Sequence, residues 1–229
     1  MFILTVAYRR TENVIRRLAA REEAIVAAAR IAAAEGGMGA VQIVPVAERA
    51  GIAAGTVYRY FPSKTELIAK LVGVVSEREI GAVRRAADAA PGPLSALAAA
   101  IATFAARALR NRRLAWAVIA EPVDAEVDAV RLTYRRTLAA ELEKRVRAAI
   151  QGGHLPDQDA ALAAPALVGA LLEGLIGPLA PAQAGEPAKS RAAVQTLTLL
   201  TLRALGVVDA RARGLVVQTV LPTLEEDVA

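Results

Sequence analysis

Apolar residues recur at intervals of three and four along most of this chain, and that spacing is typical of amphipathic helices. These stripes, with the glycines and prolines that interrupt them, predict helices at residues 21–35, 43–50, 54–61, 63–90, 94–110, 112–120, 123–151, 157–180, 189–206 and 209–221. An alternating strand pattern of useful length does not occur, so we expect an all-α protein. Residues 1–18 are ambiguous, and they form either a mobile arm or a short extra helix.

Three short helices joined by a glycine turn are predicted in the N-terminal third. Gly51 ends the second helix, Pro62 ends the third, and Ser63 begins a fourth in a capping-box arrangement with Glu66. This is the geometry of a helix-turn-helix. The residues that would brace the second helix against the third are Val46, Ala47, Ala50, Ile52, Val57 and Phe61.

Polar side chains remain on the other face of the third helix, namely Thr56, Tyr58, Arg59 and Tyr60. Hydroxyl and guanidinium donors suit phosphate oxygens and base edges. Lys64 stands at the first position of the fourth helix, where its charge adds to the helix dipole and forms an anion site. Packing of the tyrosines at a helix junction and solvation of Lys64 are the simpler interpretations of each residue alone. Their combination after a glycine turn favours DNA binding.

The charge distribution agrees with this interpretation. The net charge is +5, and residues 1–75 carry 10 Lys and Arg against 6 Asp and Glu, whereas the remainder carries 18 against 17. The basic excess therefore lies in the N-terminal third, as expected for a part that meets a polyanion. The first residues add Arg9, Arg10, Arg16 and Arg17, which either contact DNA or form a solvated tail.

The composition excludes most catalytic chemistry. The chain has no cysteine and one histidine, His154, so we expect no disulfide, no Cys- or His-based metal site and no cofactor. Nucleophile-elbow, P-loop and H-E-x-x-H motifs are absent. We therefore do not expect this protein to be an enzyme. Hydrophobic residues make up 55% of the chain and aromatics only 3%, and the excess of alanine and leucine favours helices.

The stretch AERAGIAAGTVYRYFPSKTEL, residues 47–67, resembles the DNA-binding domain of the TetR/AcrR family, and the resemblance extends over residues 21–71. It implies a homodimer on a near-palindromic double-stranded DNA operator, and repression that a small molecule relieves. Carried over by position, Thr56 would approach bases. Tyr58, Tyr60 and Lys64 would hold phosphates, and Gln42 would touch DNA just before the second helix.

Two departures from that family affect the DNA-binding part. Hydroxyl residues commonly begin the second helix, whereas this chain has Val41, Gln42 and Val44 followed by Pro45. Ala53 stands where a serine often caps the third helix, and the missing cap lowers helix stability by about 1 kcal/mol. The division that we expect is an arm at 1–20, the DNA-binding domain at 21–71, and a ligand-binding and dimerisation domain at 72–229.

The larger domain offers candidates for an apolar effector pocket. Phe104, Trp116 and Tyr134 lie on the central helices, where they either line a pocket or fill the core. Trp116, with Ile119 nearby on its helix, is the preferred candidate for the pocket wall. Glu173 is a lone carboxylate that either orients a ligand or pairs across a subunit interface. An arginine cluster could hold an anionic ligand tail, although solvated helix ends are the simpler interpretation of Arg107, Arg110, Arg112 and Arg113.

The helices at 157–180 and 189–206 are the expected dimer interface. Their leucines include Leu167, Leu171, Leu175, Leu197 and Leu200. Residues 160–182 are apolar enough to suggest a membrane span, but their prolines and central carboxylate fit a buried interface helix better. We expect a soluble cytoplasmic regulator without a membrane partner. The alternative is a helical interaction module that has lost specific DNA binding.

Overall fold

The computed structural model describes residues 2–181 and 187–221. This part of the chain contains helices and no strand, which confirms the all-α expectation. The helices are α1 (Phe2–Gly36), α2 (Ile43–Arg49), α3 (Ala54–Tyr60), α4 (Lys64–Asp88), α5 (Pro93–Arg110), α6 (Arg112–Ile119), α7 (Ala125–Gln151), α8 (Ala160–Leu175), α9 (Pro187–Ala204) and α10 (Asp209–Gln218), with a 3-10 turn at Met38–Ala40. Among the described residues, no helix is both long and apolar enough to cross a membrane.

Two helices differ by more than three residues from their predicted bounds. The first 18 residues are neither a separate helix nor a mobile arm over their described part, since α1 runs without interruption from Phe2 to Gly36. α8 is shorter than predicted, at Ala160–Leu175. The carboxylate of Asp159 fixes its start by accepting from the backbone N–H of Ala161 at 2.9 Å and of Leu162 at 3.2 Å.

The N-terminal bundle consists of α1–α3 and the first turns of α4. Its core contains the fully buried Ile25, Val57 and Leu67. Between α2 and α3, Gly51 has a φ of 66°, and the N–H of Ile52 donates to the Ala47 carbonyl at 3.0 Å. This is a Schellman ending of α2, and it sets the angle at which α3 leaves the turn.

The C-terminal bundle consists of the rest of α4 together with α5–α10. α4 packs against α5 and α7, α7 packs against α8, and α9 packs against α5 and α10. Fully buried Leu97, Ile101, Leu138 and Leu171 form its centre. α4 thus belongs to both bundles and connects them.

Candidate functional site

The third helix places polar residues outward. Val57 on α3 is fully buried, and Phe61, directly after α3, is 5% exposed. These two side chains hold α3 against the bundle. The opposite side presents Tyr58, which is 51% exposed, and the exposed Arg59, while Thr56 is half-buried. α3 therefore exposes a phenol hydroxyl and a guanidinium on this side.

The other three candidates for DNA contact flank α3 in the chain. Tyr60 is half-buried against the core, so part of its surface serves packing. Lys64 is half-buried at the first position of α4, where Ser63 Oγ accepts the N–H of Glu66 at 3.1 Å. Gln42 is exposed ahead of α2, and its side-chain amide donates to the Gly39 carbonyl at 2.9 Å.

An ion pair fastens α2 to α1. The Arg49 guanidinium donates to both oxygens of Glu35, at 2.9 and 2.7 Å. The hydrogen bond from Arg49 holds the pKa of Glu35 below its usual value. Both side chains are exposed, so salt screens the pair, and the pair adds orientation more than stability.

A cavity of about 880 Å³ lies between α1, α4, α5 and α6 and reaches one residue of α7. Of the predicted pocket residues, Phe104, Ile119 and Tyr134 line it. Trp116 and Glu173 do not line it. At this cavity α6 presents Leu114, Val118 and Ile119 rather than Trp116, the residue preferred from the sequence.

The inner end of the cavity carries polar groups. Arg107 donates to both oxygens of Glu79, at 2.6 and 2.9 Å, and its side chain is only 6% exposed. Tyr134 lies nearby, and burial, followed by the charge of Glu79, raises the pKa of its phenol above the usual value. The phenol therefore stays neutral at physiological pH and can act as a hydrogen-bond donor.

The short helix α6 also contacts the N-terminal bundle. Arg113 donates to the Gly36 carbonyl at 2.9 Å, and the carboxylate of Glu121 accepts the Met38 N–H at 3.1 Å. Next to these contacts, Thr65 Oγ1 donates to Asp124 at 2.9 Å. The segment that walls the cavity thus holds the connection between α1 and α2.

Comparison with known proteins agrees with this geometry. Residues 25–71 match the model described as "Bacterial regulatory proteins, tetR family". Residues 25–71 are therefore similar to the N-terminal part of tetR-family regulators. This match agrees with the expectation of a DNA-binding domain in this part of the chain.

Among curated relatives, the HTH-type transcriptional repressor KstR of Mycolicibacterium smegmatis is 44% identical over 77 residues. The match covers 34% of this chain and 38% of KstR, so the similarity spans less than half of either protein.

Solved structures extend the likeness to the whole fold. RolR, crystallised with resorcinol, superposes with a TM-score of 0.64 and 21% identity over 91% of this chain and 98% of RolR. FadR of Bacillus subtilis, crystallised with stearoyl-CoA, gives a TM-score of 0.63 and 21% identity over 77% of this chain and 97% of FadR. At this identity the likeness concerns the fold alone.

Two arginines that the sequence did not single out hold α6. Arg131, 3% exposed on α7, donates to the carbonyls of Val118 at 3.0 Å and Ala117 at 2.6 Å. Arg135 donates to the Ile119 carbonyl at 2.8 Å. Guanidinium groups thus cap the C-terminal end of α6. Their i, i+4 spacing was the available signal, but an arginine on a helix is usually a surface residue.

Most leucines chosen for the dimer interface lie elsewhere than expected. Leu167, Leu171, Leu175 and Leu197 are buried within the chain's own core, because they face α7 and α5. Only Leu200, at 57% exposed, points outward. The exposed side of α8 and α9, which we call the outer face, carries Leu162, Ala166, Gly169, Ala170, Glu173, Thr196 and Leu200.

Proposed function

We propose that this chain is a homodimeric, DNA-binding transcriptional repressor that leaves a near-palindromic operator when a small molecule occupies the cavity. The observation that carries the proposal is the tetR-family bundle at residues 25–71, whose third helix exposes Tyr58 and Arg59. KstR, which is 44% identical to this chain over 77 residues, is a transcriptional repressor. A cytoplasmic location belongs to the proposal, since bacterial operators lie there.

DNA contact is assigned to six residues. In the proposed complex α3 enters the major groove, with Thr56 and Arg59 near the bases. Tyr58, Tyr60 and Lys64 bind phosphates, and Gln42 does so from the start of α2. The half-burial of Tyr60 and Lys64 supports this division, because side chains held by packing position a protein on the phosphate backbone.

The effector site is assigned to the cavity. RolR and FadR were each crystallised with a small molecule, which supports a sensing role for the corresponding bundle here. α6 lines the cavity with Leu114, Val118 and Ile119. Arg113 on α6 and Glu121, which follows the helix, hold Gly36 and Met38. A ligand that displaces α6 therefore pulls on the α1–α2 connection and changes the placement of α3.

Dimerisation is assigned to the outer face. The small residues Ala166, Gly169 and Ala170 allow close approach of helices, and Leu162 and Leu200 supply apolar area. A two-fold dimer through this face would present two α3 helices to DNA. Half-sites about 34–36 Å apart require that arrangement.

The test is a titration of the purified protein with DNA from around its own gene at several salt concentrations. We expect saturable binding to one near-palindrome, and a loss of about tenfold in affinity for Arg59→Ala. The matched control is Arg136→Ala, which removes an exposed positive charge from α7 and should leave affinity unchanged. Weak, sequence-blind binding with a steep salt slope would contradict the proposal and favour an interaction module.

A further inference from the structure

We infer that the effector is an uncharged, largely apolar molecule with a carbonyl or hydroxyl oxygen that binds the side chain of Ser76 in the cavity. The inference rests on the proposed function, since it names the ligand class of the same site. Two features of the cavity lining carry it. One is a buried hydroxyl without a hydrogen-bond partner, and the other is the way in which the charged side chains are already engaged by the protein.

A hydroxyl of the cavity wall is left without a partner. Ser76 on α4 lines the cavity and is 6% exposed, and within the described part of the chain its hydroxyl makes no hydrogen bond. Buried hydroxyls usually have a partner, because an unmet hydrogen bond costs free energy. A serine hydroxyl turns between staggered positions, and here it breaks no hydrogen bond when it turns. A ligand oxygen in the cavity therefore supplies the missing bond.

Buried hydrocarbon forms much of the cavity wall. The apolar lining residues that are each less than 10% exposed include Val75, Phe104, Leu114, Val118 and Ile119. A cavity of about 880 Å³ lies near the upper end of the usual range for ligand pockets, roughly 300–1,000 Å³. The body of the ligand is therefore apolar, and two or more fused rings fit the space.

Both charges at the inner end of the cavity are already paired. Glu79 accepts two hydrogen bonds from Arg107, at 2.6 and 2.9 Å, and the Arg107 side chain is only 6% exposed. A ligand carboxylate would compete with Glu79 for this arginine, and a ligand ammonium would compete with Arg107 for this glutamate. Either exchange leaves a protein charge buried without its partner. An uncharged ligand group avoids that cost.

The other charged lining residues also favour neither sign. Glu22 on α1 pairs with Lys70 on α4 at 2.7 Å. Arg78 and Arg110 each interact with another group of the protein. The remaining two, Glu23 and Arg30, both lie on α1 and have opposite signs. A charged head group at the edge of the cavity would therefore lose its hydration without gaining a free partner.

Tyr134 adds a second uncharged polar group to the lining. Burial raises the pKa of its phenol above the usual value, and the charge of Glu79 raises it further. The phenol is therefore neutral, and it can donate to or accept from a ligand oxygen. It suits the same class of ligand as Ser76 does.

The first test compares three naphthalenes that differ in charge. 2-Acetylnaphthalene is a neutral ketone, 2-naphthoate is an anion at neutral pH, and 2-naphthylmethylamine is a cation. Their affinities for the full-length protein are measured by displacement of the fluorescent probe N-phenyl-1-naphthylamine. We expect the ketone to bind at least about fivefold more tightly than either ion, because the ions lose hydration without compensation. A smaller preference, or tighter binding of either ion, would overturn the inference.

The second test locates the ligand oxygen. Ser76→Ala should weaken binding of 2-acetylnaphthalene about fivefold and leave binding of 2-ethylnaphthalene, which has the same shape without the oxygen, unchanged. The matched control is Thr103→Val. Thr103 is 2% exposed on α5, its hydroxyl also has no hydrogen-bond partner among the described residues, and it does not line the cavity. Equal affinities of the ketone for the two variants would show that Ser76 does not bind the ligand oxygen.

A third variant tests whether these compounds occupy the cavity. Ala115 lines it from α6, so Ala115→Phe reduces its volume and should weaken binding of the ketone and of 2-ethylnaphthalene alike. Thermal unfolding of each variant checks that the fold is kept. A folded Ala115→Phe protein that binds both compounds as the unaltered protein does would place them elsewhere and contradict the inference.

The outcomes separate this inference from the proposed function. Operator binding is measured on the same preparations. If DNA binding fails but the ketone preference and its dependence on Ser76 are observed, the ligand class stands and the proposed repressor falls. If the protein binds its operator but the Ser76→Ala and Thr103→Val proteins bind the ketone equally, the inference is wrong and the proposed function stands.

Discussion

At the scale of the single residue, glycines fix the connections of the N-terminal bundle for different reasons. Gly37 and Gly51 both have positive φ, 75° and 66°. A Cβ at Gly51 would meet no atom within 4 Å, whereas one at Gly37 would collide with the Arg113 guanidinium and the Glu121 carboxylate. Gly37 thus allows the contact between α6 and the α1–α2 connection, and Gly51 supplies only a backbone conformation.

An alanine series tests this distinction. Gly51→Ala should cost roughly 1–2 kcal/mol of unfolding free energy, the strain of a left-handed L-residue. Gly37→Ala should cost more, since Arg113 and Glu121 must also move. Gly39→Ala is the control, with open space and no positive φ. Urea unfolding measures all three, and equal losses for Gly37 and Gly51 would contradict the assignment.

α3 lacks a capping side chain at its N-terminus, so a substitution there should stabilise the protein. Ala53 occupies the N-cap position with φ −72° and ψ 145°, and its side chain makes no cap hydrogen bond. Ala53→Ser should therefore increase the free energy of unfolding by about 1 kcal/mol and raise the Tm by about 2–4 °C. Ala53→Val has no cap oxygen and serves as the control in thermal unfolding. A serine variant no more stable than the valine variant would show that the cap does not form.

At the scale of the element, α6 depends on α7 for its C-terminal end. Arg131→Met should leave the Ala117 and Val118 carbonyls without their donor and cost roughly 2–3 kcal/mol. Arg136→Met, on the exposed side of α7, should be nearly neutral. Chemical unfolding monitored by the fluorescence of Trp116 on α6 measures both variants. An equally small loss in each would mean that the α6 cap does not contribute to stability.

The helices themselves were largely predictable, because periodic apolar residues and caps are local signals. Gly51 marks the end of α2, Pro62 the end of α3 and Ser63 the start of α4, and the structure has these helix termini next to the same residues. The cavity was less predictable, since periodicity shows which residues share a helix face and not which face meets a space. Trp116 and Leu114 share one short helix, and only the packing of α6 on its neighbours distinguishes them.

Buried charge was the other limit of sequence interpretation. Arg107 was one of four arginines that solvated helix ends could explain, yet Glu79, 28 residues earlier, binds it inside the bundle. Arg131 is likewise buried, although an arginine on a helix is usually a surface residue. A partner distant in sequence decides whether such a side chain is buried, and no local pattern contains that information.

At the scale of the whole molecule, the proposed dimer depends on the outer face. Leu162 is 69% exposed and Leu200 is 57% exposed, although the other leucines of both helices are buried or partly buried against the core. In a two-fold dimer the same surface from each copy meets itself, so one substitution introduces two changes into the interface. Charge repulsion should therefore separate the copies without unfolding either one.

The double variant Leu162→Glu/Leu200→Glu should sediment as a folded monomer, whereas the unaltered protein should sediment as a dimer. Leu132→Glu is the control, because Leu132 is 46% exposed on α7 and lies outside this face. Sedimentation velocity gives the mass, and circular dichroism checks that helix content is kept. The monomer should also lose most of its operator affinity, since each half-site is then bound separately and the second α3 no longer benefits from a raised local concentration. A double variant that remains dimeric would place the interface elsewhere on the chain.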